Sequence, residues 1–160
     1  MKSLSIRKNA VFIIDGTNLM YRQFFAKPDL QASDGTPTGA IYGTIKILKS
    51  YAQNFQPLQM YICCDKHRKT FRNQIFPEYK ANRKPMDERL KEQFPLLKEF
   101  CSLVGMPYVE VEGYEADDLI GSLSVHAAEY GFSPYAVSGD KDLFQLIEKQ
   151  VDVIFLSNKG

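Results

Sequence analysis

Seven acidic residues are placed where they could work together: Asp15, Asp65, Glu115, Asp117, Asp118, Asp140 and Asp142. Asp15 follows the apolar run Ala10 to Ile14, and Asp65 follows Leu58 to Cys64. Asp140 and Asp142 follow Tyr135-Ala136-Val137, and Glu115, Asp117 and Asp118 stand together at the start of a helical pattern. Each has an ordinary explanation by itself. Asp15-Gly16 is a turn, Asp65 can close a strand and pair with a cation, and the acids at 115–118 suit the positive end of a helix dipole. Asp140 can cap the helix that begins near Lys141. Gathered in one crevice, they cannot stay uncompensated. Two like charges ~4 Å apart repel by about 4 kcal/mol at an effective dielectric near 20. Lys141 alone does not neutralise such a group. An all-oxygen set without His or Cys suits Mg²⁺ or Mn²⁺ rather than zinc. Carboxylate-held metal pairs serve phosphoryl chemistry.

The acids need a scaffold that brings them together. The apolar runs are continuous rather than alternating, which predicts parallel strands buried on both faces. Met106 to Val111 predicts a further short strand. Between the runs lie helical patterns through Ile41, Ile45, Leu48, Ala52 and Phe55, and through Leu119, Ile120, Leu123 and Ala127. A third runs through Leu90, Phe94, Leu97, Cys101 and Val104, with Pro95 expected to kink or restart it. The fold class is therefore α/β: three layers, with a mostly parallel central sheet and helices on both faces. In such sheets the carboxyl ends of the strands form the binding crevice, where these acids fall.

The formal net charge of +1 conceals a segregation. Between Lys66 and Lys91 nine Lys or Arg face three acids, whereas from Glu110 to Asp142 eight acids face Lys141 alone. The basic stretch 66–84 has no clear element of its own and reads as a functional loop. Arg68, Lys69, Arg72, Lys80, Arg83 and Lys84 follow Asp65 and can guide a polyanion to an acidic centre that would otherwise repel it. Tyr79, beside Lys80, is the candidate for stacking an unpaired base, and Phe71 and Phe76 are expected to anchor the loop to the core. Tyr21 and Arg22 could orient a terminal nucleotide. The turn Asp34 to Gly39 could hold a phosphate at a helix start but reads first as a turn and cap.

At 160 residues the chain suits one domain. Three cysteines without CxxC spacing indicate neither a disulfide framework nor a zinc site. No secretory signal or span of membrane length is evident, so a cytoplasmic location is expected.

VFIIDGTNLMYRQFFA, GTPTGAIYGT, FPEYKANR, GYEADDLIG and SGDKDLFQL, in this order, resemble the 5′→3′ exonuclease domain of bacterial DNA polymerase I and its stand-alone and phage relatives, the flap endonuclease family. The resemblance implies a PIN-like, resolvase-like fold and two-metal, Mg²⁺- or Mn²⁺-dependent hydrolysis of DNA at a 5′ single-stranded end or flap. It implies that Asp15, Asp65, Glu115 and Asp117 hold a first ion, and that Asp117, Asp140 and Asp142 contribute to a second, with Asp118 close by. Lys80 and Arg83 match basic catalytic residues at the base of a helical arch, which would occupy about 82–94 within a basic loop-and-arch region of about 66–94. The family continues with a helix–three-turn–helix region beyond this chain, so a monomeric fragment of reduced activity is expected, from a parent of the kind that can carry a polymerase domain. A PIN-type ribonuclease and a DNA-binding module without turnover are the rival readings.

Overall fold

The computed structural model describes residues 6–67 and 70–157. Five strands form one sheet: β1 (Ala10–Asp15), β2 (Gln59–Cys63), β3 (Tyr108–Val109), β4 (Ser133–Ser138) and β5 (Asp152–Phe155). Their order is β3-β2-β1-β4-β5, and every pairing is parallel. Asp15 pairs with Cys63, Ile14 with Val137, and Ser138 with Phe155, so the carboxyl ends of the central strands lie level.

All residues of β1 and β4 are buried, as the continuous apolar runs require of strands covered on both faces. Alternate side chains feed two cores. Ala10, Phe12 and Ile14 pack with Leu19, Met20, Leu48, Leu97 and Cys101 on one face. Those residues come from α1 (Gly16–Ala26), α2 (Gly39–Phe55) and α5 (Phe94–Leu103). Val11 and Ile13 pack on the other face with Ile120, Leu143 and Leu146. These belong to α6 (Ala116–Glu129) and to a 3₁₀ helix over Lys141–Lys149.

Strand order reverses at β1, because the chain fills β2 and β3 on one side and β4 and β5 on the other. In open α/β sheets ligands bind at such a switch point, which here falls at the carboxyl ends of β1 and β4. Gly16 lets α1 start there without an intervening loop, since a Cβ at this position would lie 2.5 Å from both Cys64 Sγ and Ile62 Cγ2.

Pro95 restarts the helix, as expected. The four-residue α4 (Glu88–Lys91) ends before α5, which carries the proline in its first turn. Within 82–94, Leu90 is buried in the first core, and the buried Gln93 accepts from Ile41 N–H (3.0 Å) and donates to the Arg89 carbonyl (2.8 Å). Gln93 thereby occupies an amide in the first turn of α2, the helix that follows the turn Asp34 to Gly39. The loop 66–84 departs from expectation in two respects. It contains a short helix, α3 (Phe71–Ile75), and this helix buries none of its residues. Phe71 and Phe76 are exposed rather than core anchors, because the fixed points of the loop are polar bonds to the acidic segment. Among the described residues no helix is long and apolar enough to cross a membrane, and the three cysteines are free and buried.

Candidate metal centre

Asp15 is the last residue of β1 and the N-cap of α1. One carboxylate oxygen accepts from Asn18 N–H (2.8 Å) and the other from the Ser138 hydroxyl (2.7 Å). Burial pushes its pKa up to about 7. The two hydrogen bonds oppose that rise, and Asp117 and Asp65 add to it. Ser138 Oγ also accepts from Asp140 N–H (3.0 Å), which links the ends of β1 and β4 through one hydroxyl.

Asp65 lies just past β2. Its N–H donates to Thr17 Oγ1 (2.9 Å), and its carboxylate accepts from Ala116 N–H (2.7 Å), joining β2 to the start of α6. Glu115 is the N-cap of α6, and its carboxylate receives the Lys80 ammonium at 2.9 and 3.0 Å and the Tyr79 hydroxyl at 3.2 Å. Asp117 follows in the first turn. Burial pushes its pKa up to about 6, with Asp140, Asp65 and Glu115 repelling its charge and Lys80 partly relieving it.

Asp118 differs from its neighbours. The Arg72 guanidinium holds both of its oxygens, at 2.6 and 2.7 Å, and keeps its pKa below the ordinary value. Asp140 caps the 3₁₀ helix by accepting from Asp142 N–H (2.9 Å), while the Asp142 side chain is exposed on the first turn.

The fold thus draws Asp15, Asp65, Glu115, Asp117 and Asp140 into one electrostatic neighbourhood from four segments. Among the described residues, no three His, Cys, Asp or Glu side chains stand in ion-holding geometry; Asp15 and Asp65 accept from backbone amides, and Glu115 holds Lys80. The donor chemistry nevertheless suits a hard divalent cation. Every ligand is an oxygen, and the buried Asp15 and half-buried Asp117 resist ionisation because burial and mutual repulsion outweigh the relief that Lys80 gives Asp117.

The basic residues occupy unequal positions. Lys80 adopts a left-handed backbone (φ 55°), and Asn73 of α3 donates to the preceding Tyr79 carbonyl (2.9 Å). That turn aims the ammonium at Glu115, which holds Lys80 above its ordinary pKa although burial works against it. Arg83 and Lys84 are exposed beyond the turn. Arg22 donates to the Ser157 carbonyl (2.7 Å) past β5, and Tyr21 packs half-buried against the first core, 6.5 Å from Phe25. Arg68 and Lys69 lie outside the described residues. Thr17, Asn18 and Ser138 also belong to the site, although their residue types alone do not point to it. Their signal is local: each sits within three residues of an acid at a strand end.

A family model described as 5′-3′ exonuclease, N-terminal resolvase-like domain, matches residues 10–159. DNA polymerase I of Caldicellulosiruptor bescii is 40% identical over 147 residues, which is 92% of this chain and 17% of that protein. The 5′-3′ exonuclease of Aquifex aeolicus is 41% identical over 144 residues, 90% of this chain and 50% of its own length. Among solved structures, the T5 D15 protein co-crystallised with metal ions superposes with a TM-score of 0.69 at 25% identity, covering 94% of this chain and 56% of that one. The chain therefore spans half or less of the curated relatives named here. Five parallel strands, acids at the carboxyl ends around their switch point and the match over residues 10–159 agree, and the chain belongs to the 5′-3′ exonuclease family as its N-terminal resolvase-like domain.

Proposed function

We propose that this domain is the catalytic core of a divalent-metal-dependent nuclease that hydrolyses DNA phosphodiesters at or near a 5′ end, as an exonuclease or 5′-flap endonuclease. The observation that carries this reading is the half-buried Asp117, repelled by Asp140, Asp65 and Glu115 at the end of the sheet where strand order reverses. The exonuclease and polymerase names of the relatives support DNA as substrate, and the metal-bound T5 D15 structure supports a divalent ion.

In this reading Asp15, Asp65, Glu115 and Asp117 hold one Mg²⁺ or Mn²⁺, and Asp117, Asp140 and Asp142 contribute to a second. Such a pair supplies an activated water and charge stabilisation for the leaving oxygen. The remaining work falls to the chain itself. Asn18 and Ser138 fix the orientation of Asp15, and Ala116 N–H fixes Asp65. Lys80 leaves Glu115 to meet a substrate phosphate, with Arg83 and Lys84 extending the cationic path, and Arg68 and Lys69 are candidates by charge alone. Tyr79 offers a ring beside Lys80 for an unpaired base, and Tyr21 and Arg22 of α1 are the candidates for orienting a terminal nucleotide.

The test is cleavage of a 5′-flap DNA and of a single-stranded RNA in Mg²⁺ and in EDTA. Cleavage of the DNA near the flap junction, abolished by EDTA and by Asp117→Asn, is expected. Preferential RNA cleavage would favour a ribonuclease instead. DNA binding without metal-dependent cleavage would leave a binding module.

A further inference from the structure

The geometry points to Arg72 as a positioning residue that braces the metal-facing turn of α6 through Asp118, rather than as a contact to the DNA backbone. This inference rests on the metal-dependent reading above.

The two residues are 46 positions apart, yet their groups meet fork to fork. Arg72 Nη1 donates to Asp118 Oδ2 at 2.7 Å, and Nη2 donates to Oδ1 at 2.6 Å. Such a pairing fixes orientation as well as distance, and a lysine ammonium cannot reproduce it. The bond continues inward. Asp118 Oδ2 also accepts from Glu115 N–H at 2.9 Å, one of the amides that the start of a helix leaves without a helical partner. Arg72 thus acts on the Glu115 backbone through Asp118, while it meets the Glu115 carboxylate only as a looser ion pair at 3.7 Å.

Two further features hold Arg72 in place. Its guanidinium lies 4.7 Å from the Phe71 ring centroid and 5.9 Å from that of Tyr79, whose hydroxyl reaches Glu115. Phe71 N–H donates to the Gly113 carbonyl (2.9 Å), which pins α3 to the loop entering Glu115. These contacts also account for a helix that buries no residue of its own. Its role is to present Arg72. An arginine whose fork is already matched by a carboxylate is poorly placed to take a phosphate as well, and Asp118 is equally committed.

Bare electrostatics and bracing give opposite signs. Removing a cation beside an acidic cluster strengthens the attraction for a divalent ion. Removing a brace disorders the ligands and weakens it, typically 10- to 100-fold for supporting residues of metal sites.

The experiment uses the whole chain and the variants Arg72→Ala, Arg72→Lys, Asp118→Ala and the Arg72/Asp118 double alanine. Mn²⁺ binding is read by calorimetry, and DNA affinity is read against salt. Each single variant, Arg72→Lys included, is expected to weaken Mn²⁺ binding by about 10-fold or more. The double is expected to be no weaker than the worse single, because the two act as one unit. The salt slope of DNA affinity should stay at the wild-type value. Unchanged or tighter Mn²⁺ binding in Arg72→Ala, additive single effects, or a slope reduced by about one would overturn the brace and make Arg72 a phosphate contact. If the wild-type chain binds no Mn²⁺, the metal reading fails, and the brace is decided by hydrogen exchange at the Glu115 amide in the metal-free protein. Exchange about 10-fold faster in Arg72→Ala and Asp118→Ala, with β1 amides unchanged, is expected. Equal rates at Glu115 would overturn it.

Discussion

The Lys80 ammonium sits 2.9 and 3.0 Å from the two carboxylate oxygens of Glu115, in the position a cation bound to that carboxylate would compete for. A residue in a left-handed conformation, generally unfavourable without glycine, is held there by the Asn73 bond to the Tyr79 carbonyl. Lys80 is therefore placed as an exchangeable counter-ion.

Lys80→Ala should consequently separate metal binding from turnover. With the competing ammonium removed, Mn²⁺ affinity is expected to rise by roughly 10-fold, about 1.4 kcal/mol. DNA cleavage is expected to fall by at least that factor. Calorimetry and single-turnover cleavage check the pair of effects. Weaker Mn²⁺ binding would show that Lys80 organises Glu115 instead of shielding it.

The raised acids set an unusual pH dependence for the metal-free protein. Asp15 and Asp117 titrate at about 7 and about 6 in the fold, against 3.8 for an unperturbed carboxyl. The folded state therefore binds more protons than the unfolded state between 3.8 and about 7. Stability is fullest below that window and declines as pH rises through it. Asp118, held low by Arg72, loses its contribution only under more acidic conditions. In EDTA, Tm is expected to drop by several degrees from pH 5 to pH 8, given about 1.4 kcal/mol per pKa unit. Asp15→Asn should flatten the profile, and Mg²⁺ should restore Tm most at pH 8. A metal-free Tm that rises across this range would contradict the assignment.

Ser138 holds two strand ends together through one hydroxyl, donating to Asp15 and accepting from Asp140 N–H. Ser138→Ala leaves a buried carboxylate short of a donor and is expected to cost about 1–3 kcal/mol in urea denaturation at pH 8. The loss should shrink at pH 5, where Asp15 is protonated. An equal loss at both pH values would assign Ser138 to packing alone.

Gly16→Ala places a methyl group against Cys64 Sγ and Ile62 Cγ2. Overpacking of this kind typically costs about 1–3 kcal/mol. Here it should also displace Asp15, lowering both the denaturation midpoint and Mn²⁺ affinity. A variant as stable as the parent would show that α1 has room to shift away from β2.

The scaffold was legible because burial on both sheet faces leaves a plain mark, as in Val11 to Ile14 and Tyr135 to Val137. Pro95 announced the break between α4 and α5 for an equally local reason. Acids at strand ends marked the crevice, since a parallel sheet places those ends together. What could not be read was pairing across distance. Nothing local links Arg72 to Asp118 or Lys80 to Glu115, and each cation looked available for substrate until the fold supplied its partner. The same limit misplaced Phe71 and Phe76. Apolar residues in a loop suggest burial, but α3 is tethered by Arg72, Asn73 and a backbone bond to Gly113.

The central claim is that the acids at the carboxyl ends of β1 and β2 and at the start of α6 form a hard-cation site. Anomalous diffraction from crystals of this chain soaked in Mn²⁺ tests it most directly. The expected result is a Mn²⁺ peak bounded by Asp15, Asp65, Glu115 and Asp117, with the Lys80 ammonium displaced from Glu115. A crevice without a peak, in which Lys80 still holds Glu115 at saturating Mn²⁺, would contradict the account.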